Sequence, residues 1–221
     1  MKKSKLTPFS ALFLPFFFMG ATRGELKFVP SETGPSQIRV DGTSNVRDWD
    51  VATRDVRGHL ILAAENVWTE TGMDAARLPR SPEQGLSFVV EIPAASVLSD
   101  NRRFNNNLHG YMDVENHETI RFEFVSLELA KDGAETPAAG ELPTQVTGNL
   151  TLAGATESIT FPVTWTRREQ KLLLSGEAAF KMSLFGITPP RMMMGSMRTG
   201  DEVKVRFTWV LEPSAPEEGQ P

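Results

Sequence analysis

The chain has 221 residues, 23 basic against 28 acidic for a net charge of −5, and no cysteine. Lack of cysteine excludes disulfides, thiolate metal sites, a cysteine nucleophile and acylation of an N-terminal cysteine. The acidic balance without a basic tract speaks against binding nucleic acid or an anionic membrane surface.

Lys2, Lys3 and Lys5 precede an apolar run from Ala11 to Met19 that ends in small residues, the layout of a secretory signal peptide cleaved between Ala21 and Gly24. The alternative is an uncleaved anchor, but the run is short of the ~20 apolar residues that span a bilayer, and Pro15 interrupts it. No other segment is long enough to cross a membrane as a helix. Removing residues 1–24 takes four bases and no acid, so the net charge falls from −5 to −9. Export without cysteine fits a bacterial periplasm better than a eukaryotic secretory route. The expected organisation is a leader over 1–24, a single domain over 25–212 and a disordered tail over 213–221.

Strand signals then recur to the end of the chain, the pattern of an all-β barrel or sandwich. Gln37 to Val40 is a short strand. Between Val46 and Leu62, Trp49 and Val51 hold one phase while Val56, Leu60 and Leu62 hold the other, so a bend or bulge must intervene. Leu86, Phe88, Val90 and Ile92 alternate cleanly. The one helical stretch is Asp100 to Asp113, where Phe104, Leu108, Tyr111 and Met112 recur every three or four residues, with Ser99 or Asp100 as its cap. After Ile120, Phe122 and Phe124 the apolar phase moves to Val125, Leu127 and Leu129, which again implies a bulge. Lys131 to Pro143 is a polar loop. Val146 to Trp165 is a hairpin in which Val146, Gly148, Leu150 and Leu152 face the same way as Ile159, Phe161, Val163 and Trp165, with its turn in Ala153 to Thr156. Pro162 has no amide to give a ladder, so that position faces away from a partner or lies at a bulge. Leu172, Leu174, Ala178, Phe180 and Met182 form a further face, and Val203, Val205, Phe207, Trp209 and Leu211 the last.

Several of these blocks are similar to one family. VTGNLTLAGATESITFPVTW resembles the v-x-G-x-L-T-x-x-G-x-t-x-x-v-x-x-x-V segment of the YceI-like lipid or polyisoprenoid-binding family. DGTSNVRDWDV resembles its opening strand, NNNLHGYMDVENHETIRFEF its helix and following I-x-F strand, and SLFGITPPRMMMGSMRTGDEVKVRFTWVLE its closing block. Together these blocks span about residues 37 to 212. Two departures stand out: Glu118 replaces the proline usual before the I-x-F strand, and Asn105, Asn106, Asn107 and Leu108 replace the R-D-x-H-L-like segment of the polyisoprenoid branch. The resemblance implies an antiparallel, lipocalin-like extended β-barrel of about eight strands, capped by one helix, whose lumen encloses one slender ligand.

On that reading the lumen and its mouth are formed by Trp49, Phe88, Phe104, Leu108, Met112, Phe122, Phe124, Leu150, Leu152, Phe161, Phe180, Met182, Phe185, Ile187, Met192, Met194 and Phe207. Arg191 and Arg198, which flank the methionines, are the head-group candidates. The Met-rich stretch from Met182 to Met197 suits a mouth that admits a flexible chain, and equally a plug that closes one end. The aromatic faces suit a filled core as well as a lined lumen, since both use the same pattern. His109, Asp113, Glu115 and His117 lie close together, but no HExxH or comparable metal motif joins them. No G-x-S-x-G elbow is present, and the Asn149-Leu150-Thr151 sequon falls inside a strand. The expected function is an exported, non-catalytic carrier of a long apolar or amphiphilic molecule, with no metal and no cofactor beyond a bound lipid or isoprenoid-like ligand. The rival is a cell-envelope interaction module with a solid barrel. The oligomeric state stays open, a dimer included.

Overall fold

Period-two alternation puts one side of each strand against a shared interior, and the chain closes that interior with a barrel. The computed structural model describes residues 25–34, 36–63, 67–69, 72–130, 140–192, 194 and 196–214. The expected leader at 1–24, and the greater part of the polar stretch and tail at 131–139 and 215–221, lie outside the described residues. Among those described are eleven strands: β1 (Leu26–Pro30), β2 (Gln37–Ser44), β3 (Trp49–Thr53), β4 (Arg57–Leu62), β5 (Leu86–Pro93), β6 (Thr119–Leu129), β7 (Glu141–Leu152), β8 (Ala155–Arg168), β9 (Lys171–Lys181), β10 (Arg191–Met192) and β11 (Met197–Pro213). One α-helix, α1 (Arg102–Tyr111), lies between β5 and β6. No described helix is long and apolar enough to cross a membrane.

All pairings are antiparallel, in the order β1-β4-β5-β6-β7-β8-β9-β11, and β11 returns to β1 to close eight staves. Closure leaves no sheet edge in that ring. The seventeen residues of β11 are long enough to carry two partners in succession on one side. Phe28 to Pro30 of β1 pair with Leu211 to Pro213, while Gln37 to Ser44 of β2 pair with Thr208 back to Thr199. β3 pairs with β2 and continues the line of β4. The expected bend between Val46 and Leu62 is therefore a complete break at residues 54–56, and the strand at Gln37 runs to Ser44 rather than Val40.

The hairpin is a two-residue turn, with Leu152 opposite Ala155 and both Ala153 (φ 50°) and Gly154 (φ 80°) left-handed, as a type I′ turn requires. The bulge in β6 lies between Phe124 and Ser126. It carries the inward phase from Phe124 to Leu127 and leaves Val125 exposed outside, contrary to its expected place in the apolar phase. β7 begins at Glu141, so the last residues of the expected loop, through Pro143, are strand. Pro162 marks a parting of strands: β8 and β9 pair from Arg168↔Lys171 only as far as Val163↔Gly176. Beyond that point the 3₁₀ turn Met182–Phe185 packs between β8, β9 and β11.

The helix cap is Asn101, not Ser99 or Asp100: its Oδ1 accepts from the Phe104 amide at 3.0 Å. Ser99 is instead gripped by Asn105, whose side chain accepts from the Ser99 amide and hydroxyl and donates to its carbonyl. Asparagines that favour the helix weakly thus tie it to the segment before it.

Candidate functional site

The inward faces of β5 to β9 and of β11 divide at about the same level. At one end Phe28, Leu60, Leu62, Leu86, Phe124, Leu127, Val146, Trp165, Leu172 and Leu211 pack solidly together. At the other end the same faces continue as Val90 and Ile92 on β5, Ile120 and Phe122 on β6, Leu150 and Leu152 on β7, Ile159 and Phe161 on β8, Ala178 and Phe180 on β9, and Val203 to Phe207 on β11, and these line a cavity of about 900 Å³. Small-molecule pockets run to roughly 300–1,000 Å³, with apolar walls and a few polar groups. From Trp209 to Val203 the lining runs six residues along β11, a depth of about 20 Å at strand rise.

Phe88 and Trp209 form the floor, with ring centroids 6.1 Å apart, and Phe88 stacks beneath on Phe124 at 4.7 Å. Helix α1 crosses the open end because it joins the end of β5 to the start of β6. Phe104 and Leu108 point inward and pack with Trp49, Ile92 and Ile120, and the Trp49 and Phe104 rings lie 5.6 Å apart. His109 Nε2 lies 3.2 Å from the Val97 carbonyl oxygen. Beyond the helix, the His117 ring sits over Gly154 of the β7–β8 turn. The rim is polar, with Arg47, Asp48, Asp50, Asp100, Asn101 and Asn107 around the opening. An apolar blind tube with a polar rim matches a molecule with a long tail and a hydrated head.

Of the candidate residues, Trp49, Phe88, Phe104, Leu108, Met112, Phe122, Leu150, Leu152, Phe161, Phe180, Met182, Ile187 and Phe207 line the cavity. Phe124 does not: it belongs to the packed end below the floor. Phe185 is buried to 1% against Phe180, wedged beside the parted β8 and β9 rather than open to the lumen. Met194, with φ 54°, is fully exposed to solvent and does not line the cavity. Arg191 and Arg198 are exposed cross-strand neighbours on that hairpin and lie off the lining. The side chain of Met192 and all of Met193 fall outside the described residues. The 3₁₀ turn is held by Asp201, which accepts from the Ser183 amide at 2.9 Å and hydroxyl at 2.6 Å. Those bonds keep the Asp201 carboxyl below its ordinary value, the hydroxyl contributing most.

Sequence reasoning missed Val97, Leu98 and Val46 on the lining, since none belongs to an alternating run. It also missed a contrast between tryptophans. Trp165 Nε1 donates to Thr144 Oγ1 at 3.0 Å, and Thr144 in turn donates to the Val163 carbonyl. Trp49 Nε1 and Trp209 Nε1 are buried without a partner among the described residues. The histidine and carboxylate group does not converge: His117 Nε2 lies 3.7 Å from Asp113, Asn116 also donates to Asp113, and His109 faces Val97.

A closed antiparallel barrel, packed at one end and hollow at the other, has the architecture of barrels that can enclose one small ligand. The chain belongs to the YceI-like domain family, which matches residues 37–211. Among solved structures it is similar to BcnA of Burkholderia cenocepacia, at 20% identity over 79% of this chain and 95% of that one, with a TM-score of 0.60. It is also similar to a polyisoprenoid-binding domain from Saccharophagus degradans implicated in plant cell wall breakdown, at 11% identity over 86% and 99% of the two chains, with a TM-score of 0.59. At such identities the likeness establishes the fold alone. No curated protein matches the chain.

Proposed function

We propose that this protein is an exported carrier that sequesters a long apolar or amphiphilic molecule, an isoprenoid, quinone or fatty acyl chain, by reversible burial in the barrel lumen. The observation that carries this reading is the predominantly apolar cavity of about 900 Å³, floored by Trp209 and Phe88 and with its charged groups at the rim. Burying a chain there is favourable by about 0.8 kcal/mol per methylene, so a long tail binds without any directed polar contact. The polyisoprenoid-binding name of the Saccharophagus domain supports an isoprenoid as one occupant. The expected leader at 1–24 supports a periplasmic or secreted location. The rival interaction module required a solid barrel, and one end of this one encloses a cavity.

The test is organic extraction of the natively expressed protein followed by mass spectrometry, with titration of a fluorescent prenyl or acyl probe. Recovery of a stoichiometric apolar molecule and saturable probe binding are expected. A protein that is consistently empty and shows no saturable binding of any prenyl or acyl chain overturns the proposal.

A further inference from the structure

Three large apolar side chains face solvent among the polar groups at the mouth of the lumen. Val46 at the tip of the β2–β3 turn is 65% exposed, Leu98 beside β3 45%, and Tyr111 at the end of α1 43%, and all three also line the opening. Met194, on the β10–β11 hairpin, is fully exposed as well. Its hairpin is laced to the β2–β3 turn through Asn45, which donates to the Ser196 carbonyl and exchanges two further bonds with the Arg198 backbone. Apolar tips from separate segments therefore share one end of the molecule.

Arginines are interleaved with those tips. Arg47 follows Val46, Arg191 and Arg198 form the base of the Met194 hairpin, and Arg102 and Arg103 open α1 between the lining residues Asn101 and Phe104; all five are exposed. Asp48, Asp50 and Asp100 stand against them at the rim, and Asp50 is engaged by Arg39 at 3.1 Å. Five exposed arginines thus lie among the apolar tips, although the chain as a whole is acidic. Apolar side chains with arginines around them are what an interfacial contact with an anionic bilayer uses.

We infer that the mouth is a docking surface for an anionic phospholipid bilayer, which brings the lumen opening against the membrane. The expectation drawn from composition runs the other way, since these arginines come from three distant segments and no tract shows them. The inference stands on the rim geometry. It rests on the carrier reading only for its purpose, since a long apolar chain has no soluble form to exchange through water.

Binding of the folded, delipidated protein is measured by flotation with phosphatidylcholine vesicles containing phosphatidylglycerol, and with phosphatidylcholine alone. Binding to the anionic vesicles is expected, weakened by salt and by about fivefold for each of Arg47→Gln, Arg191→Gln and Arg198→Gln. Val46→Asp combined with Met194→Asp is expected to weaken it by about tenfold or more. Val125→Asp, at an exposed apolar position on the outer wall of β6, serves as the control and should change nothing. Circular dichroism confirms the fold of each variant, and the arginine series reports independently of the apolar one. No binding to anionic vesicles at low ionic strength, equal binding to neutral ones, or a Val125→Asp loss as large as that at the rim would overturn the inference, as would selective binding of a protein at this face with no vesicle binding. Delipidated protein keeps this result separate from any failure of the carrier reading.

Discussion

The indole of Trp49 occupies the space that a side chain at position 42 would need: a Cβ on Gly42 would lie 2.1 Å from Trp49 Cζ2. The two residues are register partners on β2 and β3, and the ring is backed on its other flank by Phe104 of the helix. A glycine on one strand thus sets where the lid meets the barrel.

Gly42→Ala is therefore expected to push the indole toward Phe104 and to destabilise the protein by about 1–3 kcal/mol through overpacking. In a Trp49→Ala background the same change should cost much less, because the ring it strikes is gone. Chemical denaturation of the four proteins of that cycle measures the coupling. Equal costs in the two backgrounds would show that the glycine serves some other need.

Ala178 lines the cavity on β9, opposite Val205 of β11. Ala178→Phe should fill part of the lumen with a side chain that meets empty space rather than packed atoms. Probe binding is expected to fall about tenfold or more while the thermal midpoint stays within a few degrees, since overpacking costs arise only where a core is already full. A large drop in midpoint with undiminished binding would place the ligand elsewhere.

How much of this could be read from the chain follows from what alternation encodes. Leu86 and Ile92 of β5 sit on one face and obey one rule, yet the first belongs to the packed end and the second to the cavity wall. Alternation fixes which side of a strand is inside, and so it reveals the barrel, the bulge at Phe124 and the hairpin at Ala153. It carries no information on whether inward side chains from opposite walls reach one another, which depends on barrel width and the level of each residue. Phe124 was misplaced for that reason. Met194 and the two hairpin arginines lie off the lining for another: a loop rich in methionine does not disclose the direction in which its tip turns. The rim residues Val46 and Leu98 carry no periodic signal at all, because they come from a turn and a single bridged residue.

Trp165 and Trp209 offer a test of buried hydrogen bonding at nearly equal burial, 0% and 3% exposed. Trp165→Phe removes the donor to Thr144, while Trp209→Phe removes an N–H that has no partner among the described residues. Both lose ring volume. The first should cost about 1 kcal/mol more than the second, the net worth of one buried hydrogen bond, as read by urea denaturation. If Trp209→Phe proves the costlier, its N–H has an acceptor in solution.

The wedge formed by Met182–Phe185 covers the seam where β8 and β9 have parted, and its attachment to β11 includes one titratable group. Asp201 accepts from both the hydroxyl and the amide of Ser183, and these bonds, the hydroxyl first, hold its carboxyl below the ordinary value. A carboxyl whose folded value is depressed contributes stability that is complete above the unfolded value, about 4, and lost as pH falls through the folded value. Acidification below about pH 4 should therefore loosen the wedge, and Asp201→Asn should loosen it at neutral pH while removing that part of the pH dependence. Hydrogen exchange at Ser183 and Gly186, whose amides are bonded to Asp201 and to the Ser183 carbonyl, reports the opening locally. Because Phe185 and Ile187 ride on the same segment, dissociation of a bound probe should accelerate in the variant at neutral pH. Exchange that speeds up without faster dissociation would make the seam a structural closure only, with the ligand leaving past the helix.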